Sequence, residues 1–287
     1  MQTFLAPAKI NLFLHIVGVR EDGYHLLQTV FQLLDFYDQI HLKVTQDGAI
    51  KRVNTVAGVP EETDLCVRAA TLLKKISQTP LGVEISVEKN IPMGGGLGGG
   101  SSDAATVLLA LNQLWHLNLG RQTLMDLGLQ LGADVPFFIF GQNAWGEGVG
   151  EQLAPISLQE RHYVVLNPNI HVSTAQIFAN KQLTKNTIPK KMSDFSSKAN
   201  SFENNLKPDF INQLEKCVCD DYPPVNDCLN WLKQFGDASM TGSGASVFLA
   251  VKNEADAQNI LQQTPSGFRG FIAKGLDRHP LYEFAAD

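Results

Sequence analysis

The sequence has no surplus of basic residues. Its 23 Lys plus Arg stand against 29 Asp plus Glu, a formal charge of −6, so no overall positive field exists to draw in nucleic acid or an anionic membrane. Any anionic ligand must be held by local groups. Long apolar runs are missing too: none reaches the roughly 18 residues of a membrane span, and the apolar stretch after Lys9 is broken by Asn11 and His15. Neither a transmembrane helix nor a secretory leader is therefore expected. Cysteine is scarce, and Cys66, Cys217, Cys219 and Cys228 form one C-x-C pair but no C-x-x-C and no zinc-finger spacing with histidine. That argues for unpaired thiols in a reducing cytoplasm rather than a disulfide framework or a structural zinc. There is no internal repeat, and 24 Gly with 13 Pro in 287 residues fall far short of a fibrous sequence.

What remains is a globular composition, 44% hydrophobic and 18% charged, long enough for one large domain or two medium ones. From Ile10 the chain alternates, with Ile10, Leu12, Leu14 and Ile16 on one face and Lys9, Asn11, Phe13 and His15 on the other. Lys9 and Asn11 thus project together. The runs Ile40, Leu42, Val44 and Val83, Ile85, Val87 predict further strands covered on one face, and between them Asp64 is placed to cap a helix carrying Leu65, Ala69, Leu72, Leu73 and Ile76. Beyond the third strand lies the run 94–100, of which six of seven residues are glycine. Ser101-Ser102-Asp103 then offers cap chemistry for a helix with Ala105, Leu108, Leu109, Leu111 and Leu114. A helix at about 121–131 is expected to end on a left-handed Gly132, with Asp134-Val135-Pro136 starting another.

Residues 185–202 turn to Lys, Asn, Ser and Pro and predict a surface connection or mobile loop. A second unit follows, with helices around 225–235 and 254–263, a strand through Val247, Leu249 and Val251, and an edge or return strand at 270–273. The division expected is 1–155 and 156–287, in an α+β arrangement.

Glycine at such density lets backbone N–H groups converge on one point without Cβ clashes, and the following helix adds unpaired N–H groups and the positive end of its dipole. A polyphosphate suits that geometry, with Ser101 and Ser102 as hydroxyl donors or neighbours of its magnesium ion. A Walker P-loop is excluded, because Gly100 is followed by Ser101 rather than Lys. Gly94, Gly96 and Gly99 satisfy G-x-G-x-x-G, yet residues 119–123 supply no carboxylate for a ribose, so a Rossmann site is excluded as well. A plain flexible linker fits poorly between an apolar strand and an immediately capped apolar helix.

Pro7-Ala8-Lys9-Ile10-Asn11-Leu12, Asp22-Gly23-Tyr24-His25, the block from Pro92-Met93-Gly94 to Ser101-Ser102, Gly132-Ala133-Asp134-Val135-Pro136 and Thr241-Gly242-Ser243-Gly244-Ala245 together resemble the 4-diphosphocytidyl-2-C-methyl-D-erythritol kinases. These belong to the galactokinase, homoserine kinase, mevalonate kinase and phosphomevalonate kinase superfamily. The glycine loop and the threonine-glycine segment mark the superfamily; the lysine-asparagine strand and the Gly-Tyr-His turn are more particular. Asp103 departs from the pattern, where relatives often carry asparagine, and is given no ligand role.

The resemblance implies a two-lobed small-molecule kinase fold, with an N-terminal sheet-and-helix nucleotide domain, a C-terminal α+β domain and a cleft between them. It implies ATP-dependent phosphorylation of the 2-hydroxyl of 4-diphosphocytidyl-2-C-methyl-D-erythritol, with magnesium accompanying ATP, in non-mevalonate isoprenoid synthesis. Lys9 and Asp134 are carried over as catalytic, although an aspartate two residues before proline is also an ordinary helix cap. Val56, Leu65, Lys89, Pro92 and Met93 are expected around adenine, and Gly94, Gly95, Gly96, Leu97, Gly98, Gly99, Gly100, Ser101 and Ser102 around the phosphates. Tyr24, His25 and Phe178 are expected to sandwich and read cytosine, with Asn11, Asn204, Thr241, Gly242, Ser243 and Gly244 on the substrate side. Another small-alcohol kinase of the superfamily and a non-catalytic nucleotide-binding regulator are the alternatives. No nucleic acid or membrane partner is expected, and the oligomeric state stays open.

Overall fold

The computed structural model describes residues 1–180, 182–199 and 209–287. Its spine is a pair of very long antiparallel strands, β1 (Gln2–Val19) and β2 (His25–Thr45). They are joined by a turn in which Gly23 takes φ +88, a value glycine adopts without a Cβ penalty. β3 (Ile50–Arg52), α1 (Leu65–Ser77) and β4 (Gly82–Glu88) follow, then α2 (Gly99–Leu114), α3 (Arg121–Leu129), α4 (Val135–Phe140) and the strands β5 (Ala144–Glu147) and β6 (Gln152–Pro155). The later part comprises β7 (His162–Asn167), α5 (Thr174–Phe178), α6 (Met192–Ala199), α7 (Glu215–Asp221), α8 (Pro223–Leu232), β8 (Ser239–Met240), β9 (Val247–Val251), α9 (Glu254–Gln262) and β10 (Arg269–Leu276).

The two largest of the apolar cores share β1. Phe4 and Ala6 at its start join Ile40, Leu42, Val83 and Ile85 against α1 and α2, whereas Leu14 and Ile16 near its end pack with β7, β9 and helices α7, α8 and α9. Register shifts after Pro7 and Asn11 twist the strand between these environments. The expected alternation with one polar face gives way to burial on both faces, because each side of β1 meets a layer. β10 is the other link. It pairs with β7 along most of its length and touches β2 at Leu33 and Leu34, so it lies inside the sheet rather than at an edge.

Asp64 caps α1 as expected, its carboxylate accepting the Cys66 N–H at 2.8 Å. Two other termini differ. α2 starts at Gly99 after Gly98 at φ +73, and no side chain caps it, so Ser101, Ser102 and Asp103 already lie in its first turns. α3 ends at Leu129 with Gln130 in a right-handed conformation, and it is Gly141, after α4, that takes the left-handed position. α2 is buried around its whole circumference from Ser102 to Asn112, so it is a central helix rather than an amphipathic cover.

The described part of 185–202 is not a loose connection. Thr187 and Lys190 bond to Ile16 and Gln28, and α6 inserts the fully buried Phe195 among Phe13, Phe210 and Trp145, with ring centroids 5.0 to 6.3 Å apart. One aromatic in a polar sequence suffices to dock the segment.

The tail returns to the first core, where Leu281 and Ala285 are buried. Arg121 holds it, donating to the carbonyls of Ile139, Tyr282 and Ala285 at 2.8 to 2.9 Å and stacking on Tyr282 at 4.1 Å. Among the described residues no helix is long and apolar enough to cross a membrane.

His279 lies in this strap, 2% exposed, its Nδ1 accepting the Leu281 N–H at 3.0 Å. Burial, aided by the Arg121 charge, pushes its pKa down to about 3, and burial with Lys190 lowers that of His15 to about 4. A base depressed in the folded state leaves the unfolded chain with more bound protons, so the stability it contributes is full above about pH 6.5 and lost as pH falls. The urea midpoint is expected to drop between pH 7 and pH 4, and His279→Gln to flatten that slope in equilibrium unfolding.

Candidate active site

The register of β1 sets the first two groups. Lys9 and Asn11 alternate onto one side, where the Lys9 ammonium donates to Asn11 Oδ1 at 2.6 Å and lies 3.5 Å from Asp134 Oδ2. Lys9 is 2% exposed, while the Asp134 side chain is 37% exposed toward the cavity. Asp134 occupies the cap position of α4 but makes no capping hydrogen bond, so its carboxylate is left for the cavity. Asn11 is fully engaged: its amide donates to Thr29 Oγ1 at 2.9 Å while its oxygen receives Lys9.

The glycine loop packs against the 241–244 turn with no room for side chains of its own. Gly96 has φ +73, and a Cβ there would stand 2.3 Å from the Thr241 carbonyl oxygen; at Gly98, also at φ +73, it would meet Phe138 at 2.8 Å and Lys9 at 3.1 Å. Ser246 N–H donates to Gly95 O at 3.1 Å, and Asn212 donates to the carbonyls of Met240 and Gly242, each at 2.8 Å. The first helical bond of α2 runs from Ser102 N–H to Gly98 O at 2.8 Å, which leaves the N–H groups of Gly99, Gly100 and Ser101 unpaired within the helix. All three residues line the cavity.

That cavity, of about 640 Å³, is bounded by residues of both cores. It brings together Lys9, Asn11, Val56, Leu65, Lys89, Pro92, Met93, the glycine loop with Leu97, Ser101, Asp134, Phe178, Gly242, Ser243 and Gly244. Such a cradle, free of side chains and edged by open helix N–H groups, fits phosphate.

Other expected residues lie elsewhere. Ser102 is fully buried, because the helix turns by about 100° per residue and two successive serines cannot face one cavity. Thr241 is also buried, its hydroxyl accepting Asn11 N–H at 2.9 Å and donating to Gly96 O at 3.4 Å, so it is a strut between β1 and the loop rather than a substrate ligand. Tyr24 does not line the cavity; its ring is 64% exposed beside Arg20. His25 is half-buried with its ring 5.2 Å from that of Phe178, and burial reinforced by Lys185 lowers its pKa. Asn204 lies outside the described residues.

Lys89 is held between two carboxylates. It bonds Asp38 in a very short contact and Asp103 at 2.6 Å, while Asp38 also receives the N–H groups of Asn90 and Ile91 at 2.6 and 2.8 Å. Burial pulls the ammonium pKa down, but the two carboxylates outweigh it and the net direction is up. Asp103 is pushed up by burial against the opposing pull of Lys89. This trio ties both ends of the glycine loop to β2. Asp38 was legible: it shares strand parity with Ile40, Leu42 and Val44, as Lys89 does with Val83, Ile85 and Val87, and both therefore point inward.

Residues 64–142 match the family model for the GHMP kinases N terminal domain, and residues 190–269 that for the GHMP kinases C terminal. A protein of Nitrosospira multiformis named 4-diphosphocytidyl-2-C-methyl-D-erythritol kinase is 55% identical over 98% of this chain and 93% of its own length. One of Thiobacillus denitrificans with that name is 53% identical over 100% and 99%. A crystal structure of 4-(cytidine 5'-diphospho)-2C-methyl-D-erythritol kinase superposes with a TM-score of 0.82 at 31% identity, covering 96% of this chain and 99% of that one. A crystal structure of mevalonate kinase shares the fold at 17% identity and a TM-score of 0.67, over 97% of this chain and 100% of that one.

The contact of Gly96 with Thr241 makes a direct prediction. Gly96→Ala is expected to cost at least about 2 kcal/mol in thermal or urea unfolding, through overpacking and a strained φ. Gly100→Ala, whose Cβ would meet only Leu65 at 3.6 Å, should leave stability unchanged or slightly raised.

Proposed function

From the premise that the chain belongs to the 4-diphosphocytidyl-2-C-methyl-D-erythritol kinases of the GHMP kinase family, we propose that it transfers the γ-phosphoryl group of ATP to the 2-hydroxyl of 4-diphosphocytidyl-2-C-methyl-D-erythritol. The products are the 2-phosphate and ADP, a step of non-mevalonate isoprenoid synthesis. The observation that carries the assignment of roles is the buried Lys9 ammonium within 3.5 Å of the Asp134 carboxylate, at the mouth of a side-chain-free cradle.

Each group then has a task. Asp134 accepts the hydroxyl proton as the new O–P bond forms and the bond between the β,γ-bridging oxygen and the γ-phosphorus breaks, the departing electron pair staying on ADP. Lys9 orients the Asp134 carboxylate and offsets charge gathering on the transferred group. The backbone from Gly94 to Gly100 with the Ser101 hydroxyl receives the ATP phosphates, while Val56, Leu65, Met93, Pro92 and the Lys89 methylenes wall the adenine. His25 and Phe178 form the base site, Tyr24 closing over it from its exposed turn, and Asn11 with Gly242, Ser243 and Gly244 borders the alcohol.

Magnesium, when bound with ATP, would neutralise phosphate charge, and the Ser101 hydroxyl at the edge of the cradle would help to hold it. We assign nucleotide binding and catalysis to residues 1–155 and the substrate side to 156–287. Four cysteines without disulfides suit a cytoplasmic setting.

The test is turnover. The purified chain with ATP should phosphorylate the cytidyl alcohol far faster than homoserine or mevalonate, and preference for either of those would overturn the reading. Asp134→Asn and Lys9→Ala should each lower kcat by about 100-fold or more, with ATP affinity retained in equilibrium binding.

A further inference from the structure

On the reading above, one cavity takes up a triphosphate and a diphosphate together. Among the described residues, the side chains lining it that can carry positive charge are Lys9, Lys89 and His171. Both lysines are engaged: Lys9 with Asn11 and Asp134, Lys89 between Asp38 and Asp103. The lining also contains the carboxylates of Asp64, Asp103 and Asp134. Both lysines being already matched by carboxylates, the described lining side chains leave no positive surplus for a second polyanion, even with Arg52 drawn to Asp64 at 2.6 Å.

His171 differs from both lysines. It is exposed to the cavity, and no hydrogen bond or ion pair engages its ring among the described residues. The imidazole fills the space beside Gly94, where a Cβ would stand 2.2 Å from Nδ1 and 2.9 Å from Cε1. Glycine at 94, at φ +66, thus leaves room for the ring at the first step of the cradle. The stretch that carries His171 also carries Thr174, whose hydroxyl bonds Ser243 at 2.7 Å, and Phe178, 5.2 Å from the His25 ring. It is a wall of the substrate side.

We infer that His171 is a ligand of the substrate diphosphate, donating an imidazole N–H to a phosphate oxygen at the Gly94 end of the loop. The role rests on the proposed substrate. A hydrogen bond to a charged phosphate oxygen is stronger than one between neutral groups, so a single imidazole there discriminates a nucleoside diphosphate from the bare nucleoside.

The experiment is calorimetric titration of the full chain with CDP, cytidine and a non-hydrolysable ATP analogue. His171→Phe keeps a flat ring beside Gly94 but has no N–H; it should weaken CDP binding by at least about tenfold and change cytidine and the ATP analogue by less than about twofold. His171→Ala, run in parallel in case the phenyl ring is not accommodated, should behave alike. Unchanged CDP affinity in both variants overturns the inference. Equal losses for all three ligands also overturn it, since they mark a distorted loop. Failure of the unaltered chain to bind CDP overturns both this inference and the cytidyl reading it rests on.

Discussion

An ammonium group removed from water must be neutralised nearby, and at 2% exposure Lys9 places that demand at the centre of the molecule. Asn11 supplies an oxygen and Asp134 a negative charge, and each is fixed by another part of the chain: Asn11 through Thr29 on β2, Asp134 through the start of α4. The backbone of Asn11 reaches further, donating to Thr241 beside the glycine loop. One desolvated amine thus couples the spine strands, the short helix and the turn of the second core. The same arrangement leaves the Asp134 carboxylate partly open to the cavity, within reach of a hydroxyl there.

The cradle depends on a different constraint, the absence of space. At Gly96 and Gly98 the neighbouring backbone and rings stand where a side chain would begin, so the loop is held by what it lacks. Asp38, Lys89 and Asp103 then secure it at both ends. Burying three ionisable groups so close together costs desolvation, and what the trio contributes is a fixed position for the loop rather than net stability.

The chemistry was more legible than the packing. Strand alternation alone put Lys9 beside Asn11, and glycine density between a strand and a helix pointed to phosphate. Asp38 went unread and Lys89 was expected beside adenine; only the contact between Asp38 on β2 and Lys89, just past the end of β4, reveals a clamp. Ser102 and Thr241 were misplaced because motif membership does not distinguish a residue facing the cavity from the one behind it. Phe195 was invisible for another reason: a docking segment with one buried aromatic has no periodicity to detect.

The return of the tail changes the order in which the molecule can be completed. Leu281 and Ala285 fill the core around α2, and Arg121 links that tail to the C-terminal end of α4, the helix that begins beside Asp134. Leu281 and Ala285 are translated after every other part of the core they complete, so its interior is sealed only once they have been made. A lesion at residues 281–285 therefore opens the core around α2, far upstream of it in the sequence.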